Sequence, residues 1–370
     1  MKISIITVCK NAEKTIERTI ISIINQSCRR DLYEYIIIDG VSTDHTMNII
    51  DKYKDNIDLI VSEPDKGIYD AMNKGIRLAK GEYIAFMNSD DWYETNALSD
   101  VERTINVTHA DVIYGDTNYI NKDGSTSLMK HQKVEKIWED MVACHQSTFV
   151  KKEWFGIDKA GLFDLKYRVA ADFNFLQIAY IKGAKFYGID ATLSNYTLGG
   201  ESEKLLKTYY DDYTNIILEH SKFCPNGSAV VQKQMKRAEM YYFQRALSKD
   251  PNVLEIYLGQ TVRERTVYVW GTGIWGGKVT DMLNHQGLVV SAYIDSNFIK
   301  IGKVYNNAYI NSPQMIKEID GRAVVIIAVR NKVKEITDEI RKINYNKENV
   351  SLIFIDDLIM EIVENEKNKI

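Results

Sequence analysis

An apolar run at residues 83–87 stops abruptly on Asn88, Ser89, Asp90 and Asp91. The run predicts a short buried strand. Adjacent carboxylates at its end would lie at the carboxyl edge of a sheet, where open α/β folds bind their ligands. Carboxylate oxygens are hard ligands for a divalent cation that bridges a diphosphate. The competing interpretation is an ordinary turn, because Asn, Ser and Asp are all common turn residues.

The chain before this run repeats one pattern, which is a short apolar strand, a polar loop and a stretch with helical spacing. The predicted strands are residues 3–8, 35–38 and 59–61, and the helix after the third strand covers residues 69–79. Apolar residues recur at helical spacing in each intervening stretch. Strands that alternate with helices over short connections predict a parallel, doubly wound sheet.

Polar residues at the ends of the other strands would lie at the same carboxyl edge of the sheet, where the ligand is predicted to bind. Asn11 follows the first strand and can cap the next helix, whose free N–H groups would face the same edge as Asp90. Asp39 ends the second strand, so its carboxylate is expected to be free to accept a hydrogen bond from a base or a ribose. Asp65 and Lys66 follow the third strand and are expected to border the same pocket.

Residues from about 1 to 205 resemble the family 2 glycosyltransferases. The matching stretches are residues 4–8, 38–44, 63–75 and 88–91, in that order. The resemblance implies the GT-A fold and an enzyme that makes bacterial surface polysaccharides from nucleotide-sugar donors. It puts a metal-binding motif of the DXD type at residues 88–91. Because Asn88 stands at the first acidic position of that motif, the cation, Mn²⁺ or Mg²⁺, is assigned to Asp90 and Asp91.

The resemblance also implies which residues bind the donor nucleotide. They are Thr7, Val8, Asp39, Asp65, Lys66, Asn73, Ser89 and Asp90. A uridine diphosphate sugar is the donor that the resemblance most often implies, with a hexose or an N-acetylhexosamine as the transferred sugar. The implied acceptor is a hydroxyl group of a glycan or of a lipid-linked oligosaccharide. Which sugar, acceptor and linkage are used stays open.

The acceptor side of the resemblance comes later, at residues 145–150, 161–164 and 169–176. Asp172 falls where these enzymes place their general base. A carboxylate there takes the proton of the acceptor hydroxyl as its oxygen attacks the anomeric carbon, and a single displacement inverts that carbon. Alternatively, Asp172 caps a helix at residues 173–182. His145 either contacts the diphosphate, the metal or the acceptor, or forms a structural hydrogen bond.

A second α/β domain is predicted near the C-terminus. A strand at residues 266–270 leads into a glycine turn and a helix, and a strand at 289–294 then ends on Asp295. The glycines of the turn are Gly271, Gly273 and Gly276. This pattern is typical of the dinucleotide-binding fold, in which the glycines would approach a diphosphate and Asp295 a ribose. A bound nucleotide or nucleotide sugar and an empty scaffold for assembly both stay open, because fold does not fix function.

These features predict three parts. A GT-A domain with a doubly wound mixed sheet covers residues 1–205, a helical connector covers 206–262, and a smaller Rossmann-like α/β domain covers 263–370. The segment at residues 195–202 resembles the family's mobile loop over the active site, where glycines permit hinge motion.

Composition argues against several classes of protein. With 47 basic and 51 acidic residues the formal charge is −4, so no global field favours nucleic acid. The 4 cysteines lack metal-ligand spacing, and a reducing cytoplasm is the simplest location.

The first apolar run is too short for a signal peptide, and no stretch approaches a membrane span. Membrane contact is therefore expected to be peripheral, with Lys233, Lys236 and Arg237 as candidates for anionic lipid. The oligomeric state is not fixed by the sequence.

Other functions stay open as alternatives. A sugar nucleotidyltransferase is expected to have a glycine-rich basic loop after the first strand, and residues 9–13 contain no glycine. A noncatalytic nucleotide-sugar-binding protein would depend on the C-terminal domain instead. Release of free nucleoside diphosphate in the presence of metal, donor and acceptor separates these functions from a glycosyltransferase.

Overall fold

The computed structural model describes residues 2–200, 205–262, 265–329, 332–343 and 345–368. The chain forms two compact units, Met1–Lys236 and Arg237–Ile370. The predicted three-part division stays a prediction. Of the segment expected to cover the active site, Glu201 and Ser202 lie outside the described residues. Among the described helices, none is both long enough and apolar enough to cross a membrane.

The first unit contains nine strands and six helices in its described part. Its strands are β1 (Ile3–Cys9), β2 (Tyr33–Asp39), β3 (Leu59–Ser62), β4 (Tyr83–Phe86), β5 (Trp92–Tyr93), β6 (Val112–Ile120), β7 (Thr126–Met129), β8 (Thr148–Lys151) and β9 (Phe186–Thr197). Its helices are α1 (Ile16–Ile24), α2 (Thr46–Asp51), α3 (Ile68–Leu78), α4 (Ala97–Thr108), α5 (Ala171–Ile181) and α6 (Leu206–His220). Short 3₁₀ segments lie at Arg30–Leu32, Lys54–Asn56, Val134–Trp138, His145–Ser147, Lys152–Phe155 and Ser221–Phe223.

The sheet of the first unit has the strand order β3-β2-β1-β4-β8-β6-β9-β5, and β7 pairs with β6. The first four strands in this order are parallel, as the repeated strand–helix pattern predicts. By contrast, β8 runs antiparallel to both β4 and β6, and β5 runs antiparallel to β9. The sheet is therefore mixed and covered by helices on both faces.

Alternate residues of β1 contribute to two cores on opposite faces of the sheet. Ile3 and Ile5 belong to the core that contains the apolar residues of α1 and α4. Ile6 and Val8 belong to the core that contains those of α3, α5 and α6. This alternation follows the two-residue period of a strand, and burial on both faces is typical of parallel strands between helices.

The predicted cap of the first helix is wrong. Asn11 does not cap α1, which begins only at Ile16 with Thr15 at the N-cap position and no side-chain cap hydrogen bond. Asn11 instead adopts a φ of 52°, a conformation that Asn tolerates. Its side-chain oxygen accepts a hydrogen bond from the amide of Thr43, 2.8 Å away. The residue thus joins two loops at the carboxyl edge of the sheet.

The second unit is a separate α/β sheet, as predicted. Its strands are β10 (Thr266–Trp270), β11 (Val290–Ile294), β12 (Val304–Tyr305), β13 (Ala308–Asn311), β14 (Ala323–Ile327) and β15 (Val350–Phe354). The helices are α7 (Gly227–Lys249), within which the boundary between the units falls, α8 (Val253–Val262), α9 (Ile274–His285), α10 (Val333–Arg341) and α11 (Ile355–Lys367), with a 3₁₀ segment at Pro313–Glu318. The strand order is β12-β13-β11-β10-β14-β15, with β10 parallel to both β11 and β14.

Candidate active site

The acidic turn, residues 88–91, follows β4 and forms hydrogen bonds with several other segments of the chain. Asp91 is 0% exposed, and its Oδ1 accepts a hydrogen bond from the amide of Thr197 at 2.8 Å. Its Oδ2 accepts one from the side-chain amide of Gln146 at 2.5 Å. The neighbouring Asp90 is only partly buried. The two carboxylates therefore differ, because Asp91 is enclosed by protein donors and Asp90 lies nearer to solvent.

The backbone of the same turn is fixed by α1. The guanidinium of Arg18 donates to the carbonyl oxygen of Asp90 at 2.8 Å and stacks on the ring of Trp92 at 3.6 Å. The hydroxyl of Thr19 donates to the carbonyl oxygen of Asp91 at 2.7 Å. Arg18 could not be identified from the sequence, since an exposed arginine on an amphipathic helix carries no signal of its own.

The surroundings of Asp91 raise the pKa of its carboxyl group. Burial and the adjacent Asp90 carboxylate raise the pKa of Asp91 to about 7, although the hydrogen bonds from Thr197 and Gln146 act in the opposite direction. Near neutral pH this carboxyl group is therefore partly protonated in the protein alone. A divalent cation favours the ionised form of a carboxylate, so cation binding and proton release are expected to be coupled here.

We expect Asp91→Asn to stabilise the cation-free protein at pH 8 by an amount on the order of 1–3 kcal/mol, because the neutral amide avoids the cost of ionising a buried carboxyl group, less the cost of one lost acceptor for Gln146. The native pKa of about 7 lies above the ordinary value of 3.8, so the native state binds more protons than the unfolded chain between these values. The contribution of Asp91 to the free energy of unfolding of the wild type therefore falls as pH rises from about 4 to about 7. Asn cannot ionise, so the variant does not lose this stability as pH rises. The difference in the free energy of unfolding between the two proteins should nearly vanish at pH 4.

Urea unfolding in the presence of a chelator, at pH 4 and at pH 8, measures this difference. Asp100→Asn is the matched control, because Asp100 lies on α4 and pairs with Arg103 at the surface. An Asp91→Asn variant that is less stable than the wild type at pH 8 would contradict the prediction.

Two polar atoms near the turn have no hydrogen-bond partner among the described residues. They are Oδ1 of Asn88 and Nε2 of His145, both buried. An unpaired buried polar atom is costly, so these atoms suit a site that a ligand completes. No group of three or more His, Cys, Asp or Glu side chains in the described part of the chain could hold a metal ion. The residues present therefore fit a cation held by one or two carboxylates, with diphosphate and water as its remaining ligands.

Asp172 lies in the first turn of α5 but does not cap it. The N-cap position is Ala170, and no side chain caps the helix. Oδ1 of Asp172 accepts hydrogen bonds from the hydroxyl of Tyr69 and from the amide of Phe173, each at 2.9 Å. Oδ2 lies 3.3 Å from Nδ1 of His145. The structure thus brings together Asp172 and His145, which are far apart in the sequence.

The loop before Asp172 is anchored by α6. Asp212 is buried and accepts a hydrogen bond from the amide of Val169 at 2.9 Å. Burial raises the pKa of Asp212, although hydrogen bonds from the backbone of residues 168–170 oppose the shift. Asp212 was not among the predicted site residues, because its helix lies in the segment predicted to be a connector.

Asp39 is at the predicted edge, but its carboxylate is not free. It is fully buried, and it accepts hydrogen bonds from the amide of Ser42 at 3.0 Å and from the hydroxyl of Ser62 at 2.6 Å. The hydroxyl of Ser42 donates to its other oxygen at 2.5 Å. The expectation of an unengaged acceptor is therefore wrong, because a buried carboxylate recruits the nearest donors. A role for Asp39 in nucleotide binding stays a prediction.

Asp65 lies beside the loop that Asp39 holds. A Cβ atom at Gly40 would collide with Oδ2 of Asp65, so the two segments approach closely only because residue 40 is glycine. Oδ1 of Asp65 accepts a hydrogen bond from the amide of Gly67 at 2.8 Å. Lys66 is exposed next to it, and Ser89 is partly exposed in the acidic turn. These residues can reach a ligand at the carboxyl edge.

The other predicted donor-binding residues are buried. Thr7 and Val8 lie inside β1. Asn73 donates to the carbonyl oxygen of Phe163 and accepts from its amide, each at 2.9 Å. These positions give no support to direct nucleotide contacts by Thr7, Val8 or Asn73, which stay predictions.

We expect Asp39→Ala to weaken binding of a nucleoside diphosphate by about 1–3 kcal/mol, because the loop after β2 loses its central acceptor. Calorimetry with uridine diphosphate measures this effect. Ser62→Ala is the companion variant, since it removes one donor to Asp39 and leaves the carboxylate in place. Unchanged affinity in Asp39→Ala would exclude a role for this residue in donor binding.

The glycine turn of the second unit has the geometry of a tight strand-to-helix connection. Gly271 has a φ of 108°, and a Cβ atom at Gly276 would collide with the carbonyl oxygen of Gly271. Gly273 precedes α9 and has open space around it. Oδ2 of Asp295 accepts hydrogen bonds from the hydroxyl of Thr272 at 2.6 Å and from Lys300 at 3.0 Å. Burial alone would raise the pKa of Asp295, but these bonds lower it, so the carboxylate is engaged and ionised.

Residues 4–162 match the family model described as glycosyl transferase family 2. A PGL/p-HBAD biosynthesis glycosyltransferase of Mycobacterium bovis is 32% identical over 177 residues, which are 46% of this chain and 67% of that protein. The chain belongs to glycosyltransferase family 2. The family 2 domain also resembles a poly(ribitol-phosphate) beta-glucosyltransferase of Bacillus spizizenii, at 28% identity over 51% of this chain and 35% of that protein.

The fold of this glycosyltransferase agrees with solved structures. TarS 1–349 of Staphylococcus aureus in complex with UDP-GlcNAc superposes with a TM-score of 0.54 at 19% identity, over 68% of this chain and 75% of that chain. The mixed sheet with helices on both faces is therefore the GT-A fold, and the resemblance seen in the sequence is confirmed.

Proposed function

We propose that this glycosyltransferase is metal-dependent and inverting, and that it moves a hexose or an N-acetylhexosamine from a UDP-sugar to a hydroxyl of a glycan or lipid-linked acceptor in surface polysaccharide synthesis. The 3₁₀ segment His145–Ser147 carries the proposal. Its first residue lies against Asp172, and its second residue donates to Asp91. One short segment therefore contacts both Asp91 on the predicted donor side and Asp172 on the predicted acceptor side of the site.

The choice of donor rests on the relatives. A Staphylococcus aureus protein named poly(ribitol-phosphate) beta-N-acetylglucosaminyltransferase is 31% identical over 132 residues, which are 35% of this chain and 23% of that protein. The TarS 1–349 structures of that species include complexes with UDP and with UDP-GlcNAc. A UDP-sugar is accordingly the first donor class to test.

Asp90 is the proposed direct ligand of Mn²⁺ or Mg²⁺, because it is only partly buried, whereas Asp91 is fully buried and accepts hydrogen bonds from Thr197 and Gln146. Asp91 would then supply charge behind Asp90 and keep the turn in place. When bound, the cation neutralises the charge that develops on the departing diphosphate. Asn88 and His145 each have a buried polar atom with no hydrogen-bond partner in the described part of the chain, and they are the candidates for contact with the diphosphate or its water.

Asp172 is the proposed general base. Its Oδ1 accepts hydrogen bonds from two donors, whereas Oδ2 has the ring nitrogen Nδ1 of His145 beside it at 3.3 Å, so Oδ2 is the proposed acceptor for the proton of the acceptor hydroxyl. As that proton leaves, the hydroxyl oxygen forms a bond to the anomeric carbon, and the bond from this carbon to the diphosphate oxygen breaks. Attack opposite to the leaving group inverts the configuration of the anomeric carbon.

A panel of nucleotide sugars with Mn²⁺ and candidate acceptor glycans tests the proposal. We expect free UDP to appear from UDP-sugars, together with glycosylated acceptor. Pyrophosphate produced from a nucleoside triphosphate and a sugar phosphate would identify a nucleotidyltransferase instead. Binding of a nucleotide sugar without turnover, across the whole panel and with metal present, would favour a noncatalytic binding protein.

The remaining assignments belong to the same proposal. The second unit is proposed to hold a nucleotide or nucleotide sugar at Gly271, Gly273 and Gly276, with an empty scaffold as the alternative. Peripheral contact of a cytoplasmic enzyme with the inner face of the membrane is also proposed. Of the basic residues suggested for it, Lys233 forms an ion pair with Glu139, which leaves less of its charge for lipid.

A further inference from the structure

The hydroxyl group of Tyr69 lies between two acceptors. Its oxygen is 2.9 Å from Oδ1 of Asp172 and 2.8 Å from the carbonyl oxygen of Val169. A phenol has a single proton to donate, so it can satisfy only one of these acceptors at a time. An ionised carboxylate is a stronger acceptor than a carbonyl group, and the proton therefore belongs to Asp172 while Asp172 is charged.

The ring of Tyr69 is fixed, so its hydroxyl is a rigid reference point. The side chain is buried on α3 and packs against the ring of Phe163 at a centroid distance of 5.3 Å. Burial, together with the charge of Asp172, raises the pKa of Tyr69 well above its usual value, so the group stays a neutral donor. No displacement of α3 is needed for the hydroxyl proton to turn from one acceptor to the other.

We propose that Tyr69 is a positioning residue for the base, holding Oδ1 of Asp172 so that Oδ2 faces the acceptor hydroxyl. This inference rests on the proposed role of Asp172. The amide of Phe173 also donates to Oδ1 and therefore helps to hold this oxygen in place. Once Oδ2 has taken the proton of the acceptor, the charge on the carboxyl group is lost, and the Tyr69 proton can turn to Val169. The same hydroxyl thus serves both protonation states of Asp172, and no proton leaves Tyr69.

Other ionisable groups face this pair and must be unchanged in a test. His145 and Cys144 approach Asp172 from the 3₁₀ segment and the residue before it. Asp212 and Tyr213 face Tyr69 and Asp172 from α6. Because Tyr69→Phe alters none of them and keeps the packed ring, it isolates the hydroxyl group.

The experiment compares kcat and its pH dependence in the wild type, Tyr69→Phe, Asp172→Asn and the double variant. We expect Tyr69→Phe to lower kcat by about 10-fold, with donor affinity unchanged. The acidic limb of its pH profile should move to higher pH by about one unit, because the ionised carboxylate has lost a donor. A purely structural role in packing would not move this limb.

Tyr167→Phe is the matched control. Tyr167 is likewise buried, and its hydroxyl donates to the carboxylate of Glu219 at 2.9 Å, so the same atoms are removed away from Asp172. In this control, kcat and the pH profile should stay within about two-fold of the wild type.

The double variant decides whether Tyr69 acts through Asp172. If it does, Tyr69→Phe should cause no further loss of kcat in the Asp172→Asn background. Equal 10-fold losses in both backgrounds would overturn the inference, as would an unshifted pH profile. A rate near wild type in Asp172→Asn alone would instead refute the proposed base, whatever Tyr69→Phe does.

Discussion

Asp172→Asn is expected to lower kcat by about 10² to 10⁴, while affinities for donor and cation stay close to those of the wild type. The amide can still accept the hydrogen bonds that Tyr69 and Phe173 donate to Oδ1, so the local structure should be kept. The amide cannot take a proton from the acceptor, and the loss therefore falls on the chemical step. Steady-state kinetics with saturating donor, together with calorimetry of uridine diphosphate, measures the two effects separately.

Asp158→Asn is the control for this variant. Asp158 is exposed in the segment that precedes α5, outside the stretches that resemble the acceptor side of the family, whereas the carboxylate of Asp172 is 16% exposed. The control should turn over at the wild-type rate. A purely structural role for Asp172 predicts that Asn preserves the rate, because the amide oxygen still accepts the hydrogen bonds from Tyr69 and Phe173. A folded Asp172→Asn enzyme within a few-fold of wild-type turnover would therefore end the assignment as base.

Removal of the divalent cation is expected to abolish transfer, and Asp90→Ala to lower kcat by at least about 10². The chelated enzyme should recover when Mn²⁺ or Mg²⁺ is restored, whereas Asp90→Ala should stay impaired at high metal concentration. Asp91→Ala is expected to lose activity together with stability, since Gln146 and the Thr197 amide lose their buried acceptor.

The assay compares rates after dialysis against chelator and across a titration of metal. Asp100→Ala on α4 serves as the control for loss of a partly exposed carboxylate. Full activity in chelator, or wild-type metal dependence in both Asp90→Ala and Asp91→Ala, would show that the acidic turn does not hold a cation.

The parallel half of the first sheet was predictable because its signals are local. Each residue of β1 and β2 is buried, and the apolar runs that result stand out from the helical stretches between them. The pairing of β5 with β9 was not predictable. It joins Trp92 to Asn195 through a two-residue strand, and so short a segment has no periodicity.

The candidate site likewise combines features that have a local sequence signal with contacts that depend on distant segments. The position of the acidic turn follows from an apolar run that ends on carboxylates, but its partners Gln146 and Thr197 come from distant segments. The contact of Tyr69 with Asp172 likewise depends on how α3 and α5 pack. By contrast, the engagement of Asp39 had a local signal, since aspartates at turns commonly accept hydrogen bonds from backbone amides that follow them, and the amide of Ser42 is such a donor.

The hydrogen bond from Thr197 to Asp91 makes one backbone amide a reporter of the acidic turn. Thr197 is the last residue of β9, and its amide proton points at the carboxyl group whose protonation changes near neutral pH. Its chemical shift in a nuclear magnetic resonance spectrum should therefore follow the titration of Asp91 and change again when a cation binds. The state of the turn can thus be read without any substrate, from a single resonance in the intact chain.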